Sequence, residues 1–252
     1  MPLKIGGTRH SCYLCRIHLI TIMKKLIVNA AFCGVFTLMS FTLQAQDVKS
    51  SEAYQTQKNV YSLGIKYGDV NAARNALFGL IAMDPNDNSL LDSLAYLYFD
   101  YQRHTSCILV CLDILKSNPN HLGAIEMSSI SYENLGLKDK ALEGYESLYL
   151  KQSNLFTLYK ISVLQLDLGR YVESKTNIDI LLANEEAQTA KLAMNTEQGT
   201  KEILLKAAVY NLKGLLESRQ DQKEAAKASF NEAIKLEPEF TMAKNNLADL
   251  DK

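Results

Sequence analysis

The chain has 252 residues, of which 47% are hydrophobic and 22% charged, with 27 basic side chains against 28 acidic ones. This is the make-up of a folded protein, and scarce proline together with few alternating β-branched runs points to helices. A net charge of −1 with no lysine- or arginine-rich run excludes the basic surface that nucleic-acid phosphates require.

The first informative segment is Met23-Lys24-Lys25, followed by an apolar stretch from Leu26 to Leu43 and then Gln44-Ala45 before Gln46. Two lysines, an apolar stretch and a small residue at the junction form a secretory signal peptide over residues 23–45, with residues 1–22 as an upstream extension. An uncleaved anchor is the rival reading, because the stretch is about long enough to span a bilayer. Asn29, Gly34 and Ser40 weigh against it, and Leu43 is larger than the residue usual three before a cut. A lipid anchor is disfavoured, because Ala30-Ala31-Phe32 puts a bulky residue directly before Cys33. Cleavage leaves 22 basic against 28 acidic residues and places the protein in the periplasm or outside the cell, or at the membrane if the segment is retained.

Beyond residue 54 the chain repeats itself. Pro85 and Pro119 lie 34 residues apart, and Pro238 closes a further copy. Ahead of them stand Ala73, Leu77 and Leu80, then Cys107, Cys111 and Ile114, then Ala226, Phe230 and Ala233. Two further copies carry Tyr132, Gly136, Ala141 and Tyr145, and Leu158, Ser162, Gly169 and Ser174, with Ser153 replacing a proline. A fixed period near 34 residues is the mark of a helix–turn–helix array. Small residues such as Ala73, Ala141 and Ala226 fall where paired helices cross, and large ones such as Tyr98, Tyr145 and Phe230 fill the space between neighbours. Gly68, Gly136 and Gly169 fall between the halves, where a left-handed residue is least strained.

These positions resemble the tetratricopeptide-repeat family. The resemblance implies an all-α right-handed superhelix of about five helix pairs. Repeats fall at about 54–87, 88–121, 122–154, 155–188 and 207–240 within a solenoid over 46–252. The fifth is the nearest to the family pattern, with Tyr210, Gly214, Ala226, Phe230, Ala233 and Pro238.

Between the fourth and fifth repeats an insertion over 189–206 interrupts the period. Its Lys191–Asn195 and Lys201–Leu205 runs flank Thr196-Glu197-Gln198-Gly199-Thr200, and a β-hairpin is favoured over a helix extension or a loop. Residues 241–252 form a capping helix, with Ala243, Leu247 and Leu250 on the covered face and Lys244, Asn245 and Asp249 toward water.

No phosphate loop, nucleophile elbow or metalloprotease motif is present, so the chain reads as non-enzymatic, with no cofactor and no metal. Cys12 and Cys15 beside His10 and His18 imitate metal-ligand spacing but precede the mature chain. Cys107 and Cys111 read as reduced core thiols. His104 and His121 read as solvated turn residues.

In the family it resembles, the first helix of each pair lines a concave face that holds a partner. Carried onto this chain, that face includes Asp92, Tyr96, Phe99 and Asp100, then Glu126, Ile130, Glu133 and Asn134. Further along come Phe156, Tyr159, Val163 and Asp167, and then Asn211, Leu215 and Arg219. Ile130, Val163 and Leu215 also suit simple packing between helices. The family's lysine–asparagine–arginine clamp for a C-terminal carboxylate is not reproduced. The expected partner is therefore a protein segment of the cell envelope bearing apolar and basic side chains. The alternative is a glycan- or nutrient-binding accessory, with Tyr96, Phe99 and Tyr159 as stacking platforms.

Overall fold

A computed structural model describes residues 48–196 and 199–250. The extension and signal peptide read at 1–45, with Cys12, Cys15 and Cys33, lie outside the described residues, as do Glu197 and Gln198 of the hairpin turn. The chain divides into two units, one ending at Asn86 and one beginning at Asp87.

The first unit is a helix pair, α1 (Glu52–Tyr67) and α2 (Val70–Met83), preceded by a short 3-10 turn at Val48–Ser50. Ser51 caps α1 by accepting from the Tyr54 amide at 3.2 Å, and Asp69 caps α2 by accepting from the Ala72 amide at 3.0 Å. Each cap satisfies an amide that the first helical turn leaves without a partner. The helices cross at Gly64 and Ala73, so tightly that a Cβ on Gly64 would lie 2.6 Å from the Ala73 nitrogen.

The second unit holds three further pairs before the insertion. They are α3 (Asn88–Asp100) with α4 (His104–Ser117), α5 (Leu122–Asn134) with α6 (Lys138–Gln152), and α7 (Leu155–Asp167) with α8 (Tyr171–Ala183). After a 3-10 turn at Glu186–Gln188 come strands β1 (Lys191–Thr196) and β2 (Gly199–Leu204), then the pair α9 (Leu205–Arg219) and α10 (Lys223–Leu236) and a closing helix α11 (Thr241–Asp249). The all-α array of tandem pairs is what the resemblance implied, and the small antiparallel hairpin is what the runs around Gly199 implied. No helix among the described residues is long and apolar enough to cross a membrane.

All five pairs turn in the same way. The residue between the helices is left-handed: Gly68, Gly136 and Gly169, but also Gln102 at φ 54° and Asp221 at φ 59°. In each turn the next amide donates back to a carbonyl five residues earlier, as Asp69 to Gly64 and Arg103 to Tyr98, both at 2.8 Å. This bond meets a carbonyl at the helix end that would otherwise lack a partner.

The core of the second unit runs through three successive clusters. Ala95, Cys107, Cys111 and Met127 join α3, α4 and α5, while Ile125, Leu142, Tyr145 and Leu164 join α5, α6 and α7. A larger cluster unites α7, α8, the hairpin and the C-terminal helices around Ile178, Leu181, Leu205 and Val209. Where α7 crosses α8 both contact residues are serines, and the Ser174 hydroxyl donates to the Ser162 carbonyl at 2.8 Å. The Ser162 hydroxyl in turn donates to the Leu158 carbonyl at 2.8 Å, so both buried hydroxyls are satisfied where alanine is usual. Cys107 and Cys111 are free thiols with no exposure, their sulfurs 3.8 Å apart.

The hairpin pairs Lys191 with Leu204 through Thr196 with Gly199. Its Leu192 and Met194 pack on the large cluster, and Ile203 is buried within it. Leu204 donates its amide to Glu237 at 2.9 Å, which fastens the insertion to the end of α10.

At the C-terminus Ala243 is buried, Leu247 and Leu250 are half-buried, and Lys244, Asn245 and Asp249 are exposed. Phe240, just before α11, is buried as well and extends the covered face.

Candidate functional site

One departure from strict periodicity positions the site. From the start of α3 to the start of α5 is 34 residues, whereas from α5 to α7 it is 33. Helix α6 runs to Gln152, and Ser153, left-handed at φ 49°, turns the chain directly into α7. Asn154 then caps α7 by accepting from the Phe156 amide at 2.8 Å and the Thr157 amide at 3.2 Å. Helices α5 and α7 approach each other less closely than α3 and α5, or α7 and α9.

Between them lies an open groove of about 700 Å³. One wall is the α5 stripe Glu126, Ile130, Glu133 and Asn134, spaced at three and four residues as one helix face requires. Tyr145, Leu148 and Gln152 of α6 form the floor, and Phe156, Thr157 and Lys160 of α7 form the other wall.

Glu133 ties the three helices together. Its carboxylate accepts from the Tyr145 hydroxyl at 2.9 Å and pairs with the Lys160 ammonium at 2.8 Å. Burial, reinforced by the Glu133 charge, pushes the Tyr145 hydroxyl well above the usual tyrosine range, so it stays protonated and donates. Glu126 is exposed and has no cationic partner among the described residues, and Phe156 is 37% exposed. The groove therefore offers a free carboxylate beside an apolar surface.

The residues read from the sequence as partner-facing do not all meet here. Glu126, Glu133, Asn134 and Phe156 line the groove, together with Ile130. On α3, Tyr96 is 61% exposed, Phe99 is half-buried against the α3–α5 core, and Asp92 lies 3.2 Å from the His121 ring. Asp100, Asn134, Asp167 and Arg219 are the last residues of their helices, and Asp167 pairs with Lys138 at 2.6 Å.

Two positions need correction. Tyr159 is 8% exposed and belongs to the large C-terminal cluster, where burial pushes its hydroxyl up to about 12. Asn211 is 2% exposed and accepts from the Asn246 side chain of α11 at 2.9 Å. The elements that follow in the chain cover both, so neither presents its side chain to a ligand. Val163 and Leu215 pack against the same cluster.

His121 is also not a solvated turn residue. Its Nδ1 caps α5 by accepting from the Ala124 amide at 3.1 Å, and Nε2 faces Asp92. His104 opens α4 half-buried. Sequence reasoning missed Tyr145, Leu148, Gln152, Asn154, Thr157 and Lys160 as groove residues. The displaced proline at Ser153 was the only signal that this junction differs.

Comparison with known proteins agrees with the fold. The tetratricopeptide repeat family profile matches residues 207–240. No curated protein matches the chain. Among solved structures, a tetratricopeptide repeat protein from Parabacteroides merdae is 18% identical, with a TM-score of 0.62 over 79% of this chain and 73% of its own. MamA from Desulfovibrio magneticus is 13% identical, with a TM-score of 0.58 over 75% of this chain and 98% of its own. YrrB, described as a tetratricopeptide-repeat protein with an unusual peptide-binding site, is 11% identical, with a TM-score of 0.59 over 82% and 95%. The chain thus carries a tetratricopeptide repeat at 207–240 within a tetratricopeptide-repeat fold.

Proposed function

We propose that the protein is a non-enzymatic interaction scaffold that holds a segment of a partner protein in the groove between α5 and α7. The observation that carries this reading is the groove itself, where an exposed Phe156 and half-buried Ile130 stand beside an unpaired Glu126. Apolar anchors rimmed by polar groups are what a peptide-binding surface needs. The peptide-binding site named for YrrB, a protein of similar fold, supports the same direction.

The segment at 23–45 supports export to the cell envelope, so the partner belongs there. Intact mass of protein from its native host tests this: a chain beginning at Gln46 is expected, and a retained Met1 or Met23 overturns it. The glycan-binding alternative loses support, since Tyr159 is buried and Phe99 packs into a core, leaving Tyr96 alone exposed.

Affinity capture from envelope extracts tests the function. Ile130→Ala with Phe156→Ala is expected to lose one specific protein that the unaltered chain retains. Unchanged capture by the variant overturns the groove, and saccharide binding by calorimetry without a protein partner overturns the protein-binding reading.

A further inference from the structure

We propose that the groove selects an extended peptide segment in which a lysine or arginine stands next to a large apolar residue, with Glu126 receiving the cation. This rests on the groove being the binding site and adds the chemistry of its occupant. Two independent observations point to it.

The first is the charge of the wall helices. Helices α5 and α7 carry Glu126, Glu133 and Asp167, against Lys160 as their one basic residue. Helix α9 reverses this, with Lys206, Lys213 and Arg219 against Glu217. The groove therefore lies in the acidic part of the array, which draws in a cationic segment and repels an acidic one.

The second is how the groove's own charges are used. Lys160 is held by Glu133, whose other oxygen takes the Tyr145 hydroxyl. Neither of those carboxylate oxygens is available without breaking an existing bond. Glu126 lies one helical turn from Ile130 and two from Glu133 along the same stripe. A cation arriving there meets a carboxylate with no competitor, while the adjoining side chain of the same segment covers Ile130 and Phe156. The side-chain amides of Asn134 and Gln152 line the groove and can meet the segment's backbone polar groups. An acidic segment would instead place its charge beside Glu126 and Glu133 with only the already paired Lys160 to answer it.

The test uses the purified full chain against a displayed library of random heptapeptides. Enriched peptides are remade with a fluorophore and measured by anisotropy. Lysine or arginine beside leucine, isoleucine, phenylalanine or methionine is the expected pattern. Glu126→Gln should weaken such a peptide about two- to fivefold, and Glu126→Lys further, as removal and reversal of an exposed charge pair do. Replacing the peptide's basic residue by glutamate should restore binding to Glu126→Lys, a rescue that loss of folding cannot produce. Binding that depends on Phe156 but is indifferent to Glu126 overturns the basic-segment proposal and leaves the groove standing. Binding indifferent to both Phe156→Ala and Glu126→Lys, or no enrichment at all, overturns the groove reading beneath it.

Discussion

Replacing Gly214 by alanine puts two opposing effects on one atom, and the geometry decides between them. In the middle of α9 alanine is favoured over glycine by about 1 kcal/mol, because glycine loses more backbone freedom on folding. The new Cβ, however, would sit 2.5 Å from Cε1 and 2.6 Å from Cδ1 of Phe230. Phe230 is 1% exposed and one of the largest fully buried side chains, so its ring cannot swing aside as a surface side chain could. Either α9 or α10 must move outward. Overpacking of this kind costs about 1–3 kcal/mol, and a rigid ring in an enclosed site lies in the upper part of that range. Subtracting the helix preference leaves a net loss of about 1–2 kcal/mol. For a protein of this size that lowers the melting temperature by roughly 2–8 °C. Urea denaturation followed by circular dichroism measures it. Gly79→Ala is the control, because its nearest neighbour is the flexible end of Gln57 at 3.1 Å, and it should be neutral or slightly stabilising. Adding Phe230→Leu to Gly214→Ala should cost less than the two changes summed, because the shorter side chain vacates the contested space. A Gly214→Ala protein as stable as the original, or costs that simply add, would refute this account of the α9–α10 crossing.

Gln102→Gly should stabilise the protein by about 1 kcal/mol, because Gln102 holds the left-handed conformation that glycine adopts at Gly136 and Gly169; thermal unfolding reads the change, and a loss of stability would contradict it. Tyr145 should make the fold alkali-sensitive. An unfolded tyrosine titrates near 10, whereas burial and Glu133 keep the folded hydroxyl protonated above that. This contribution is therefore complete below about pH 10 and is lost as pH rises beyond it. Tyr145→Phe should show a shallower fall in urea midpoint between about pH 9 and pH 11, and parallel curves would refute the assignment. His121→Ala should cost about 1 kcal/mol by removing the α5 cap, with His121→Asn recovering most of it; equal losses from both would show that the cap contributes little.

The helix pairs were legible because their contacts are local and periodic. Ala73, Ala141 and Ala226 mark crossings, and all are buried with no exposure. A left-handed turn, by contrast, announces itself only through glycine, so Gln102 and Asp221 stayed hidden although their backbones match Gly136. The groove was half visible. Counting along α5 gives Glu126, Ile130, Glu133 and Asn134, but the floor from α6 depends on how far α5 and α7 are splayed, which no single-helix pattern records. Tyr159 and Asn211 occupy positions equivalent to Glu126 in their own helices. What distinguishes them is that Tyr159 is enclosed in the large C-terminal cluster and Asn211 is covered by Asn246 of α11, and those are contacts between segments distant in sequence. The Asn246–Asn211 bond spans 35 residues, beyond the reach of periodicity.

Site-specific photocrosslinking in cells of the native host tests the central claim most directly. A photoreactive amino acid at position 156 places the probe in the groove, and one at position 172, where Val172 is 80% exposed on α8, serves as the comparison. The scaffold account predicts a discrete covalent adduct with one envelope protein from position 156, absent from position 172 and lost when Glu126→Lys is added. No adduct at 156, or the same adducts from both positions, would contradict it.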